Sequence, residues 1–403
     1  MNADRDYLNP GATLVLDTTG PASQTVAAGW SQLLTGGNFN GFAIFDYTGQ
    51  QAVVPLETRN AASYLLAFDD TPPLATGLAI ANLATSQENV GVIIRDDTGK
   101  QIGTGTISNL AAQGHTYFML TGPPAGFPAV TAPRGTVEFD TPPGGQISVL
   151  GLRANTFPDG SGFALTTLPV LANVGTGGGL MAHVASGGGW QTVFTLVNTG
   201  TAAANTTLSF FDDNGNPLSL PLSFPQTGAT VTETLVSQAI PAGATLIVVT
   251  QGPSTGIPAT GSAQLTTNGS VSGFAIFQNA GQEAVVPLEA GGANSLTLAF
   301  DNTGGLQTGL AVANSSTQPA AIPATLRDDT GEIQATTTIN LLGNGHHSFM
   351  LTDPTYGFPT AANIARGTVE FDTPSGGQIG ALGIRGATVG GTYRYTTIPV
   401  MTK

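Results

Sequence analysis

Apolar residues in this chain come singly and in short runs, and no window sustains a 3.6-residue period. Gly or Pro interrupts nearly every run of ten, so the pattern is one of short strands punctuated by turns. Over residues 59–172 it predicts strands near 63–69, 74–82, 89–96, 101–108, 114–121, 134–140, 146–153 and 163–170. TVEFD and ISVLGLR flank Pro-Pro-Gly-Gly and predict a hairpin. Centred on Pro143-Gly144, it would put Val137, Phe139, Leu150 and Leu152 on one face. Thr136, Glu138, Asp140 and Arg153 would share the other. IIRDDTGKQI and SFFDDNGNPL carry Asp-Gly-type hairpin turns, where Gly and Asn tolerate positive φ. TETLVSQAI (232–240) is the one stretch that reads as a helical turn. About eight strands in about 110 residues indicate an all-β fold, a two-sheet antiparallel sandwich.

The pattern repeats. RGTVEFDTP occurs at 134–142 and again at 366–374, 232 positions on. At the same offset GFAIF (41–45) meets 273–277, AVVPLE (52–57) meets 284–289, and IRDDTG (94–99) meets LRDDTG (326–331). A weaker offset of about 116 aligns Asn82 with Asn198, Asp96-Asp97 with Asp212-Asp213, and GTVEFDT with GSAQLTT. The unit is therefore about 116 residues, and alternate units are most alike. Trp190 aligns with Leu74 and Leu306 and is expected as a core anchor on an early strand. The frame divides the chain into a half β-sandwich (1–58) and three complete sandwiches (59–172, 173–290, 291–403). PGATLVLDTTGP (10–21) aligns with AGATLIVVTQGP (242–253), midway through a unit, so the first unit carries only its last four strands. A half-sandwich exposes an apolar face and a sheet edge. Three readings stand: a piece of a longer repeat protein, completion by another chain through strand addition or face-to-face pairing, or packing against the neighbouring unit.

Segments such as WQTVFTLVNTG, LSFFDDNGNPLSL, IPAGATLIVV and SVSGFAIF resemble the tandem Ig-like β-sandwich repeats of bacterial secreted and surface proteins. The resemblance covers the whole chain as a style of repeat. It implies tandem sandwiches outside the cell, acting as stalks, adhesins or appendage components, and it carries no catalytic residue across.

Composition narrows the partners. The formal charge is −14, with 25 acidic and 11 basic residues, so phosphate backbones and anionic membrane surfaces would repel the chain. There is no cysteine, which excludes disulfides and thiolate metal sites. No run of 18 apolar residues predicts a transmembrane helix, and MNADRDYLNPG has no apolar signal-peptide core. An extracellular or cell-surface location is expected.

Candidate chemistry is sparse. The pairs Asp96-Asp97, Asp212-Asp213 and Asp328-Asp329 could offer carboxylate and carbonyl oxygens to Ca²⁺. One loop supplies too few ligands and the spacing is not that of an EF-hand, so hairpin turns are the stronger reading. His115, His183, His346 and His347 show no metal-ligand spacing and read as surface strand residues. Glu57/Glu289, Glu138/Glu370 and Asp140/Asp372 recur through duplication, which explains them without a catalytic carboxylate pair. Arg95/Arg327, Arg134/Arg366 and Arg153/Arg385 are expected to pair with carboxylates on outer sheet faces. The Gly-rich run 174–189 lacks a Lys and a following helix and reads as an inter-unit linker. No serine-hydrolase or nucleotide-binding motif is present. The expectation is a non-enzymatic protein without cofactor, which builds or decorates a filament, sheath or adhesive stalk by self-association or contact with neighbouring surface proteins. A glycan-binding module is the alternative, and a glycoside-active enzyme ranks third.

Overall fold

The computed structural model describes residues 7–18, 28–47, 50–157, 159–171, 178–389 and 392–403. It is all-β, with antiparallel sheets throughout. The first unit contributes the hairpin β1 (Phe42–Tyr47) and β2 (Gln50–Pro55). The second contributes β3 (Ser63–Asp69), β4 (Leu74–Asn82), β5 (Glu88–Asp96), β6 (Gln101–Leu110), β7 (His115–Met119), β8 (Arg134–Asp140), β9 (Ile147–Thr156) and β10 (Phe163–Leu168). The third holds β11 (Gly179–Ser186), β12 (Gln191–Asn198), β13 (Ala204–Phe211), β14 (Leu220–Phe224), β15 (Ala229–Glu233), β16 (Leu235–Ile240), β17 (Thr245–Thr250), β18 (Ala259–Thr267), β19 (Val271–Asn279) and β20 (Gln282–Pro287). The fourth holds β21 (Ser295–Asp301), β22 (Gln307–Asn314), β23 (Ala320–Asp328), β24 (Ile333–Leu341), β25 (His346–Met350), β26 (Arg366–Asp372), β27 (Ile379–Val389), β28 (Thr392–Ile398) and β29 (Met401–Thr402).

Three units repeat one topology. Their first sheets run β3-β8-β5-β6, β11-β18-β13-β16 and β24-β23-β26-β21-β29. Their second sheets run β10-β9-β4-β7, β15-β14-β17-β12-β19-β20 and β25-β22-β27-β28. Alternating apolar positions of the two sheets meet between them, as with Leu66, Val92, Val137 and Ile147 in the second unit. A buried Asn ends the second strand of each unit. Asn82, Asn198 and Asn314 each accept from the amide two residues on and donate to carbonyls across the arch. An Asn there satisfies carbonyls that the chain cannot pair as it crosses between sheets.

Several sequence expectations change. The Pro-Pro-Gly-Gly turn does not close a hairpin: β8 pairs with β3 and β5, whereas β9 pairs with β4 and β10. The turn carries the chain from one sheet to the other. Val137 and Phe139 stay in the core, and Ile147 and Val149 join them, while Leu150 and Leu152 lie on the opposite face. TETLVSQAI is extended and ends in β16, paired with β13, so strand pairing overrides its local propensity. The Gly-rich run is not a linker over its described part: residues 179–186 form β11, whose Leu180, Met181, Ala182 and Val184 are core residues. Residues 174–177 lie outside the described residues. Trp190 sits in the turn between β11 and β12, partly buried against Phe277 and Tyr395.

The units close on themselves. The last strands β2, β10, β20 and β28 each touch the next, and β28 touches β2. The double-Asp turns repeat the same cycle. The second Asp carbonyl of a turn accepts an amide of the following unit: Asp97 from Thr245 at 3.0 Å, Asp213 from His346 at 3.2 Å, Asp329 from Thr13 at 3.0 Å. The contact needs glycine, because Gly99, Gly215 and Gly331 have positive φ and meet neighbouring backbone there. Apolar cores run across the joints. Val193, Val197, Phe274 and Ile276 on the outer face of the β12 sheet belong to the second unit's core. Ala311, Ala313 and Leu382 belong to the third unit's core, and Phe42 packs on the fourth unit's core. Four units thus form a ring, with the incomplete unit between the fourth and the second.

Candidate functional site

The incomplete unit is the place where the ring departs from its own pattern. In the third unit β12 lies between β17 and β19, and β18 lies between β11 and β13. The first unit's counterparts of β17 and β18 are residues 13–18 and 27–35. Their pairing partners have no counterpart among the described residues, so only β1 and β2 form as strands. The expectation of four strands in residues 10–57 is corrected to two, because a strand forms only with a neighbour.

The apolar side chains keep their pattern but lose their cover. Leu16 is 70% exposed where its counterpart Val248 is 0%. Leu33 is 49% exposed against 2% for Leu265, and Phe45 47% against 0% for Phe277. The segment is nonetheless held in place. Thr13 N–H donates to Asp329 O, Trp30 Nε1–H donates to Gln113 O at 3.1 Å, and Thr167 Oγ1–H donates to Val53 O. The site is an exposed apolar face bearing unpaired backbone, and it is suited to accepting strands.

The complete joints bury polar groups. Between the second and third units, Glu283 Oε1 accepts from Arg153 at 3.2 Å, Asn155 at 2.8 Å and Gln278 at 2.7 Å. Between the third and fourth, His346 Nδ1 lies 2.8 Å from Asp213 Oδ1, and His346 Nε2 lies 2.9 Å from His183 Nδ1. Burial, helped by the adjacent His346, pushes His183 down to about 3. Burial would raise Asp213, but the His346 hydrogen bond and nearby histidines hold it below the usual carboxylate range. Glu289, partly exposed as a whole residue, has its carboxyl enclosed and pushed up to about 8. Its Oε2 accepts from Ala381 N–H at 3.2 Å. A mostly apolar cleft of about 310 Å³ borders His183, with Ser348, Met350 and Ile384 in its wall.

The sequence-predicted residues scatter around the ring. The carboxylates of Asp96, Asp212 and Asp328 each accept three hydrogen bonds within their own turns. Asp97, Asp213 and Asp329 face the next unit through their carbonyls. Among the described residues no group of three or more His, Asp or Glu that could hold a metal forms. Glu138 pairs with Arg95 and Glu370 with Lys403 and Arg327. Arg134 pairs with Asp69 and Arg366 with Asp301. Arg153 departs from the outer-face expectation: alternation along β9 puts it on the same side as Ile147 and Val149, and it is buried at a joint beside Glu283 of the next unit. His346 is likewise fully buried rather than a surface residue, and His183 is enclosed beside it. The joint residues escaped sequence reasoning because their partners across the joint lie at least 92 positions away. One signal was readable: His183 stands where the other units place Ala67 and Ala299.

No protein-family model, curated protein or solved structure matches this chain. Among the described residues no helix is long and apolar enough to cross a membrane.

Proposed function

We propose that this chain is a non-enzymatic structural protein of the cell surface or extracellular space, which builds or decorates a filament, sheath or adhesive stalk. Sandwich packing and strand-edge contacts would be its working chemistry. The carrying observation is the first unit: strand-forming segments 12–17 and 28–35 keep their apolar pattern yet pair with nothing in the sheets. Strand order supports the Ig-like reading. In the second unit, β3-β8-β5 and β10-β9-β4 reproduce the B-E-D and G-F-C neighbours of an Ig sandwich, with β6 and β7 added at the edges. The acidic, cysteine-free composition suits an exported protein.

The test is electron microscopy with light scattering on the full chain at neutral pH, beside Leu16→Pro. Proline removes an amide and blocks strand pairing at an exposed position. Filaments or closed oligomers that the variant fails to form are expected. Monomers in both samples would end the reading.

A further inference from the structure

We infer that the cleft at the joint of the third and fourth units is a binding site for a small apolar molecule bearing one hydroxyl group, a phenol or an alcohol, whose O–H donates to Nε2 of His183. This site goes beyond the assembly reading and does not depend on it. The joint between the second and third units serves as its control. There the equivalent space is about 20 Å³, room for about one water. Strand register gives the equivalences. Val193 pairs with Val249 and Ile276, as Gly309 pairs with Met350 and Ile384. Thr195 pairs with Ile247 and Phe274, as Ala311 pairs with Ser348 and Leu382. Val, Thr, Ile and Phe in the lining of the tight joint thus stand where the open joint has Gly, Ala, Ser and Leu. Each of the four is smaller at the open joint, and the cleft there measures about 310 Å³. One position differs the other way: Ala67 of the tight wall corresponds to His183. The open joint therefore lacks bulk at four positions and carries one added imidazole.

The hydrogen-bond chain behind His183 decides what it can take. Burial opposes ionisation of Asp213, yet the His346 hydrogen bond keeps it a carboxylate at neutral pH. A carboxylate only accepts, so His346 Nδ1–H donates to Asp213 Oδ1 at 2.8 Å. Burial of both rings favours neutral imidazoles. His346 then presents the lone pair of Nε2, and His183 donates to it from Nδ1 across 2.9 Å. Nε2 of His183 is left as an acceptor, and it is the nitrogen available to a ligand. The ring is held by Phe277, edge to face at 5.4 Å, and by stacking on His346 at 5.0 Å. The remaining lining sets the body of the ligand. It is mostly apolar, with Ser348 as the other polar side chain. Among the described residues no Asp, Glu, Lys or Arg lines the cleft, so a charged ligand would lose water without gaining a partner. An apolar cavity of about 150 Å³ holds benzene, so about 310 Å³ has room for one ring with a short substituent.

The probes are para-ethylphenol and para-ethylanisole, the same ring with its hydroxyl methylated, each titrated calorimetrically into the full chain. Saturable one-to-one binding of the phenol below about 1 mM is expected, with the anisole about tenfold weaker because Nε2 then meets no donor. Nitrogen NMR of the histidine-labelled chain should show Nε2 of His183 unprotonated, with its signal moved by the phenol alone. Gly309→Val together with Ser348→Ile writes in the residues of the tight joint and should weaken phenol binding by about tenfold or more. Valine fits there, since a Cβ on Gly309 meets nothing nearer than 3.8 Å. His183→Ala, which supplies the residue found at Ala67, should erase the difference between the two probes. No saturation, equal binding of the two probes, a protonated Nε2, or undiminished binding by the filled variant would each overturn the inference. Where melting shows the filled variant to be poorly folded, His183→Ala still decides, because a phenol preference that survives it overturns the inference.

Discussion

The docking of a double-Asp turn on the next unit can be tested at Gly215. This residue has φ +80°, and a Cβ there would lie 1.9 Å from Gly343 O. Gly228, in the turn between β14 and β15, has φ +71° and nothing within 4 Å of its ideal Cβ. Alanine at either position incurs left-handed strain of about 1–2 kcal/mol. Only Gly215→Ala must also push the turn off the fourth unit. That displacement breaks the His346 N–H bond to Asp213 O at 3.2 Å and strains the Asp213–His346 side-chain pair at 2.8 Å. Buried groups left unpaired cost about 1–3 kcal/mol each, so Gly215→Ala should exceed Gly228→Ala by about 2–4 kcal/mol. The assay is hydrogen exchange at the His346 amide, since a ring of packed units need not unfold in one step. An excess of that size raises exchange there by roughly 30- to 1,000-fold, at about 1.4 kcal/mol per factor of ten. Equal rates in the two variants would refute the claim that the close approach, rather than the turn's own conformation, fixes glycine.

Three further outcomes are expected. Glu283→Ala leaves Arg153 buried without its carboxylate and should destabilise by about 3–5 kcal/mol, whereas exposed-pair variants such as Lys403→Ala should cost about 0–1 kcal/mol, both read by denaturant titration. Asn198→Ala strands the carbonyls of Ala202 and Ile240 and should lower the melting temperature far more than Asn205→Ala on the surface. The joint between the third and fourth units should titrate in opposite senses. Glu289, raised to about 8, gives stability that is present at low pH and lost as pH rises through 8. His183, lowered to about 3, gives stability that is present above about 6.5 and lost as pH falls toward 3. The two slopes oppose between about pH 4.5 and 6.5, so Glu289→Gln should raise stability at pH 9 and expose a decline below pH 6.5, measured by melting across pH.

Strand positions were legible because period-two patterning and Gly/Pro turns mark them directly. All eight strands expected in residues 59–172 form, and bounds such as 63–69, 74–82 and 134–140 coincide. Sheet membership was less legible. Pro142, Pro143 and Gly144 announce a turn, but turn chemistry does not say whether the flanking strands pair or part. β11 was masked by its glycines, although LMAHVA between them is apolar enough for a core strand. The joints were the least legible. Each is assembled from single residues on several strands, so no local window of sequence contains one. Arg153 illustrates this: alternation along β9 puts it on an inward position, yet its partner Glu283 belongs to another unit.

The doubly covered sheet explains both the ring and its seam. β12 reads VFTLV, apolar on successive positions, because Phe194 and Leu196 face their own unit while Val193 and Val197 face the preceding one. A sandwich whose second sheet is apolar on both faces cannot stand alone in water. Strung in a line, such units would always leave one outer face uncovered at an end. Closed into a ring, each outer face meets the first half of the preceding unit. The exception is the face of the β10-β9-β4-β7 sheet, which must be covered by the first half of the first unit. Leu150, half-buried on that face where its counterpart Leu382 is buried, and exposed Leu16 and Leu33, whose counterparts Val248 and Leu265 are buried, therefore have one cause. All of them lie where the other joints place that half-sheet, so strands that cover one group must also cover the other.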